Sequence, residues 1–428
     1  MRCLDLSLER LDPAVLEGAQ LVAVYLGMHT ATRIAIEALP RIRQIAPQAH
    51  LCFYGLYAPM NETLLRRLGA GSVLDGEPER ALVLLCRQLR GDHDDAARDA
   101  PAVKIRFAVP DRSVLPALSR YAHLVLPDGA TRVAGFAEGS RGCKHLCRHC
   151  PVVPVYQGRF RAVPVEIVLA DIAQQLREGA RHISFGDPDF LNGPTHGLRL
   201  ARALHDAFPD VTFDATIKVQ HLIDHAALLP ALRANGCLFI TSAVESVDDE
   251  ILRLLDKNHS SADFDRAVAL TRAAGIALAP TFVAFTPWTT LEGTLALLER
   301  LVALRLVASV PPIQLSIRLL VPEGSWLLKL PGFREALMPF DPALLGYPWR
   351  HADPRVDRLQ QDLQALVARC EAQNVPRREA FAAIWRLANE AAGRRPPPLP
   401  EDLGAPIPRL SEPWYCCAEP TAQQLQSF

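Results

Sequence analysis

The sequence predicts an α/β protein: a doubly wound unit first, then a partial barrel of six βα units, then a mostly helical extension. Three observations predict it. Short apolar runs alternate with helical periodicity over residues 1–90, the same rhythm restarts near residue 131, and residues 331–390 carry helical patterning without strands. The 428 residues are enough for two or three domains, and 49% hydrophobic content supplies a sizeable core.

In the first unit, residues 21–26 read as a buried strand, 31–45 as a helix, 50–54 as a second strand, 64–68 as a helix, 72–74 as a third strand and 79–89 as a helix. The polar run 91–95 breaks the pattern, and the Pro-punctuated residues 101–130 read as a connecting segment. The second rhythm places strands at 132–138, 181–186, 211–217, 237–243, 276–284 and 312–318. Gly179, Gly236 and Gly275 stand where helix C-caps belong. Six strands with crossover helices make three-quarters of a full barrel. Helices are expected over 354–371 and 377–392, after which 394–400 favours an extended linker. The boundaries are 1–100, 101–130, 131–330 and 331–428.

Charge is balanced, 46 Lys plus Arg against 47 Asp plus Glu, which argues against nucleic acid as a partner. Charges at Arg2, Asp5, Glu9 and Arg10 interrupt the start too soon for a signal peptide, and no apolar run reaches membrane-spanning length. The expected location is the cytoplasm, away from membranes. Ten cysteines in so long a chain are no disulfide scaffold, and a reducing compartment suits thiolate ligands. Cys3, Cys52, Cys86, Cys237 and Cys370 read as small buried hydrophobes.

The sharpest signal is Cys143, Cys147 and Cys150, spaced C-x3-C-x2-C between a strand and a helix. Barrel chemistry is built at that end of the strands. Three close thiolates can bind three irons of a 4Fe–4S cluster and leave the fourth open to an amino and carboxylate chelate. Structural zinc needs a fourth ligand, which has no obvious spacing here although His145 and His149 lie in the loop.

This loop resembles that of radical S-adenosylmethionine (SAM) enzymes, over about residues 130–325. The layout is similar to members that join a cobalamin-binding-like domain to a partial TIM-type barrel. The tail Cys416-Cys417-Ala418-Glu419-Pro420 resembles the ending of the CCAEP-tail subgroup. The resemblance implies a 4Fe–4S cluster, SAM and an electron donor such as flavodoxin or ferredoxin. It implies reductive cleavage of SAM to a 5′-deoxyadenosyl radical, or alternatively a 3-amino-3-carboxypropyl radical, acting on a small molecule. It puts His149 against the adenine, Gly186 and Asp187 at the methionine amino group, and Glu245 on the ribose. Lys218 would reach the cofactor carboxylate or a substrate acid. Thr281, Trp288, Gln314 and Arg318, at the ends of the fifth and sixth strands, would line the mouth.

Cobalamin stays open for the first domain. The Asp-x-His-x-x-Gly loop of one cobalamin-binding type is absent, and His29 lacks its flanks, whereas Gly76 to Glu79 resembles a later turn of that fold. Adjacent Cys416 and Cys417 on an extended tail are a poor choice for packing. They suit a soft element such as arsenic(III) or selenium, a redox pair or a hydrogen-atom donor; a bland exposed terminus is the other reading. A cobalamin-dependent methyltransferase and a non-catalytic metal or metalloid sensor are the rival functions.

Overall fold

The computed structural model describes residues 1–92 and 106–412. The first unit runs α1 (Pro13–Leu16), β1 (Leu21–Tyr25), α2 (His29–Ile45), β2 (His50–Tyr54), α3 (Glu62–Arg67), β3 (Ser72–Leu74) and α4 (Glu79–Leu89). Its strands are parallel in the order β1-β2-β3, and the reversal that makes a sheet doubly wound is not among the described strands. Alternation along the strands sends Val22, Val24, Leu51 and Phe53 into one core with Ala35, Ala38, Leu39 and Ile42 of α2. Ala23 and Tyr25 point to the other face and are exposed.

The second unit begins with the hairpin β4 (His123–Val125) and β5 (Thr131–Ala137). Then follow β6 (Ser140–Gly142), α5 (Val152–Tyr156), β7 (Phe160–Ala162), α6 (Val165–Arg177), β8 (His182–Phe185) and α7 (Pro194–Ala207). Next come β9 (Thr212–Thr216), α8 (Val219–Asp224), α9 (Leu229–Ala234), β10 (Cys237–Glu245), α10 (Asp249–Leu254), α11 (Ser261–Ala273), β11 (Ala277–Phe282) and α12 (Leu291–Ala303). The curled sheet has the order β11-β10-β9-β8-β5-β4 with a short final strand beside β4, and β5, β8, β9, β10 and β11 are parallel. Local signals start the helices: Ser260 and Asp263 form a reciprocal capping box on α11, and Thr290 caps α12. Gly236 turns the chain from α9 into β10 at φ 100°, where an added Cβ would lie 2.9 Å from the Val211 carbonyl.

Strand alternation divides this sheet into two faces. Ile183, Phe213, Ala215, Ile240 and Leu278 pack outward in the main core with the surrounding helices. Phe136, Ser184, Asp214, Thr216, Thr241 and Thr281 face inward onto a cavity of about 1160 Å³.

The sixth expected strand, 312–318, is replaced by a 3-10 turn (Pro312–Leu315) and a single parallel bridge, Phe285 to Arg318. Pro311 and Pro312 supply no N–H to a ladder. The Gln314 side chain takes over as acceptor for the Phe282 amide at 2.8 Å. Residues 331–353 also depart from the helical expectation. They form short turns and two bridges, because prolines at 331, 339, 342 and 348 remove the donors a helix needs.

Helices α13 (Pro354–Ala372) and α14 (Arg377–Ala391) add Val356, Leu359, Leu363, Phe381, Ile384 and Trp385 to the main core. The chain then runs extended to β12 (Arg409–Leu410), antiparallel to β4. Since β4 is antiparallel to β5, β12 runs in the direction of β5, and residues 407 and 409–412 line the cavity. Cys416 and Cys417 lie outside the described residues. Among the smaller thiols, Cys52, Cys237 and Cys370 are buried, whereas Cys3 and Cys86 are exposed, against the expectation for all five.

Candidate functional site

The cysteine loop grows from the end of β5. β6 and β7 pair Ser140 with Ala162 and Gly142 with Phe160, closing a hairpin around the loop and α5. Gly142 has φ 78°, and a Cβ there would lie 2.4 Å from the Arg159 carbonyl, so only glycine turns the chain into Cys143. Asn192 clamps the loop. Its Oδ1 accepts from the Lys144 amide at 3.1 Å and lies 3.6 Å from the Cys143 Sγ, and its Nδ2 donates to the Gly142 carbonyl at 3.2 Å. The Arg148 amide donates to the Leu255 carbonyl at 2.9 Å, tying the far side to α10.

Cys147 is buried and Cys143 and Cys150 are half-buried. Burial pushes the Cys143 thiol up to about 11, so thiolates here call for cations. Two are present. Lys218, 7% exposed, follows β9; burial lowers its pKa while Cys147 and Cys143 work against that, and its Nζ meets the Cys147 thiol but no oxygen or nitrogen acceptor. Lys257, 3% exposed, has a raised pKa because Glu245, Cys147 and Cys150 together outweigh its burial. A buried ammonium without an oxygen or nitrogen acceptor is costly and marks the place of an anion. Three thiols and this buried cation fit a thiolate-held cluster with a carboxylate ligand beside it.

Two expected site residues meet directly. His149 Nε2 lies 3.1 Å from Glu245 Oε1, and Lys257 Nζ lies 3.4 Å from the same oxygen. Glu245 ends β10 after a register shift, at φ 70°, a left-handed conformation that costs a non-glycine residue about 1–3 kcal/mol. Burial alone would raise its pKa, but Lys257 and His149 hold it down at about 2.

Gly186 and Asp187 lie at the end of β8. The Gly186 amide donates to the Ala137 carbonyl at 2.9 Å, and the Phe136 ring covers its backbone, 2.0 Å from where a Cβ would stand. The Asp187 carboxylate accepts from the Gly139 amide at 2.8 Å and the Ser140 hydroxyl at 2.6 Å, bracing the hairpin below Cys143. Burial raises its pKa to about 7 against those two bonds. Of the four mouth residues, Thr281 and Gln314 face the cavity. Trp288 stacks near Phe333, and Arg318 pairs with Asp357 and lies over Trp349, so these two serve the packing of the C-terminal segment.

The sequence reading missed Asn192, Lys257 and a trio formed by His145, Asp189 and His221. The Asp189 Oδ2 lies 2.7 Å from His221 Nδ1 and 3.4 Å from His145 Nε2. His145 lies within the cysteine loop and Asp189 two residues after Asp187, but nothing local connects them to His221.

The first unit adjoins this end of the barrel. Arg141 pairs with Glu79 and Arg161 Nε lies 2.8 Å from Glu77 Oε2, and the exposed Tyr25 ring lines the cavity. Among the described residues no helix is long and apolar enough to cross a membrane.

Residues 138–290 match the Radical SAM superfamily. A tRNA-2-methylthio-N(6)-dimethylallyladenosine synthase of Chlorobium luteolum is 29% identical over 166 residues, 36% of either chain. The chain thus spans about a third of the length of the curated relatives it matches. Among solved structures, radical SAM methyltransferase TsrM from Kitasatospora setae, with tryptophan and aza-SAM bound, has a TM-score of 0.54 at 19% identity, over 68% of this chain and 63% of that one. Cobalamin-dependent SAM radical enzyme OxsB with aqua-cobalamin has a TM-score of 0.65 at 15% identity, over 87% of this chain and 66% of that one.

Proposed function

We propose, from the premise that residues 138–290 are a radical SAM domain, that the chain cleaves SAM reductively and turns the radical on a small molecule in the barrel cavity. The observation that carries this is the Lys218 ammonium buried beside Cys143 and Cys147 with no oxygen or nitrogen acceptor. Cys143, Cys147 and Cys150 would hold a 4Fe–4S cluster, which would supply the electron that breaks a sulfonium C–S bond. The protein's own residues orient the partner. Lys218 takes the methionine carboxylate, the backbone at Gly186 and Asp187 takes its amino group, and Glu245 with His149 borders the nucleoside. The inward Asp214, Thr216, Thr241 and Thr281 present polar groups to the substrate. The setting is the cytoplasm, with flavodoxin or ferredoxin as electron donor.

The C-terminal tail supports a role for Cys416 and Cys417 at the same place. Glu412 lines the cavity, and four or five further residues reach about 13–17 Å. Thiols so tethered would hold an arsenic- or selenium-containing substrate, or act as a redox pair that closes the radical cycle.

A second reading, a cobalamin-dependent methyltransferase, is favoured by Tyr25, which brings the first unit to the cavity wall. His29 does not suit an axial ligand: it is 1% exposed, with its Nε2 2.8 Å from the Leu344 carbonyl. The test is mass spectrometry of anaerobic reactions of reconstituted protein with SAM and dithionite, with and without arsenite, selenite and cobalamin. The first reading expects 5′-deoxyadenosine or a cleaved aminocarboxypropyl product, absent from Cys147→Ala. It also expects a metalloid product absent from Cys416→Ser. S-adenosylhomocysteine formed only with cobalamin selects the second reading, and equal SAM cleavage by Cys147→Ala rejects both.

A further inference from the structure

His145, Asp189 and His221 come from three separate elements at the C-terminal end of the barrel: the cysteine loop, the β8–α7 connection and α8. Their three ligand atoms, His145 Nε2, Asp189 Oδ2 and His221 Nδ1, all lie within 4.8 Å of one another. Asp189 is 1% exposed and His221 2%. Asp189 Oδ1 is occupied by the Leu191 amide at 3.0 Å, so the other oxygen alone faces the two rings.

A hydrogen-bonded brace is the obvious alternative, in which each ring N–H points at the carboxylate. The geometry differs from that. All three atoms are buried and two of the separations are short; both rings act on the carboxylate and hold its pKa down, but neither meets it in a well-aligned hydrogen bond. Buried polar atoms are almost always bonded, and a shared exception signals a missing partner. Atoms that crowd together without pointing at one another are arranged around a common point. Ligands about 2.0–2.2 Å from a metal, at octahedral to tetrahedral angles, lie about 2.8–3.6 Å apart; the 3.4 Å separation falls in that range and the 2.7 Å one just below it.

We propose that His145, Asp189 and His221 form a mononuclear site for a divalent first-row transition metal, distinct from the cysteine cluster. Two imidazoles and one carboxylate select borderline metals such as Fe(II), Mn(II), Co(II) or Zn(II) over Ca(II) or Cu(I). Three protein ligands leave positions open for water or a heteroatom of the substrate. Asp189 offsets the metal's charge, and the nearby Lys218 faces the cysteine thiols. The site goes beyond the proposed SAM chemistry and does not depend on it.

The full-length chain, reconstituted anaerobically with 57Fe and sulfide and gel-filtered, is analysed for metal per chain and by Mössbauer spectroscopy. It is then titrated with Zn(II). The expected result is about one metal per chain beyond the cubane's four irons, with a high-spin Fe(II) doublet outside the cluster signal. Asp189→Asn and His221→Gln should each lose that metal and weaken Zn(II) binding more than about tenfold, while the cubane absorbance persists. Should Asp189→Asn also lose the cubane, His221→Gln decides. A wild-type chain that holds only cubane iron and takes up no Zn(II) overturns the proposal. So does a His221→Gln variant that binds Zn(II) as the wild type does. Absence of a cubane from the wild type would instead strike at the SAM reading, so the two failures are separable.

Discussion

Replacing Lys257 by Met removes the cation beside Glu245 while keeping most of the side-chain volume. Both residues are buried, with Nζ 3.4 Å from Oε1. Two routes give the size of the effect. Removing one partner of a buried pair costs about 3–5 kcal/mol, because the other charge stays buried. The second route is linkage: the Glu245 carboxyl is held at about 2 against an ordinary 4.5, and that shift is worth about 3 kcal/mol. His149 remains as a partner, so the lower figure, about 3 kcal/mol at pH 7, is expected. A depressed carboxyl pKa contributes stability that is present above 4.5 and lost as pH falls through about 2. The gap between wild type and Lys257→Met therefore narrows as pH drops through that window. Urea midpoints by circular dichroism at pH 7 and near pH 3.5 measure it. Adding Glu245→Gln to Lys257→Met should recover much of the loss. A gap under about 1 kcal/mol at pH 7, or one that stays constant with pH, would refute the reasoning.

Asn192→Ala strips the Lys144 amide and Gly142 carbonyl of their partner, at about 1–3 kcal/mol for each group left buried. The variant should lose cluster iron to a chelator faster than wild type, and equal loss rates would contradict the clamp. Gly186→Ala sets a methyl against the Phe136 ring, whose 46% exposure lets it swing into the cavity. Thermal stability should change by less than about 1 kcal/mol while KM for SAM rises; an unchanged KM would remove the backbone at Gly186 from the binding site. Gly142→Ala has no such escape, since it meets backbone at φ 78°, and should prevent cluster assembly as judged by iron content. Full iron loading in that variant would show that the turn into Cys143 tolerates a side chain.

Most of the barrel was legible because its determinants are local. Alternating apolar residues mark β8, β9, β10 and β11, and the cysteine spacing identifies a ligand loop without any tertiary knowledge. What stayed hidden depends on contacts far apart in sequence. Pro311 and Pro312 interrupt an apolar run that otherwise reads as a sixth strand, and Gln314 replaces the lost ladder bond from a side chain. The two-residue strand β12 exists only because β4, far earlier in the chain, offers an edge, as the Ser411 amide donating to the His123 carbonyl illustrates. Glu245 and His149 were each picked for the nucleoside, but their contact with each other and with Lys257 follows from the curl of the sheet. His145, Asp189 and His221 sit on two loops and a helix that only the curl of the sheet brings together.

Electron paramagnetic resonance of the dithionite-reduced, cluster-loaded chain, recorded with and without SAM, probes the site iron by iron. The account predicts a reduced-cluster signal whose g-values shift when SAM is added, and no shift in Lys218→Met at the same SAM concentration. A spectrum indifferent to SAM, or protein carrying zinc at Cys143, Cys147 and Cys150, would contradict it.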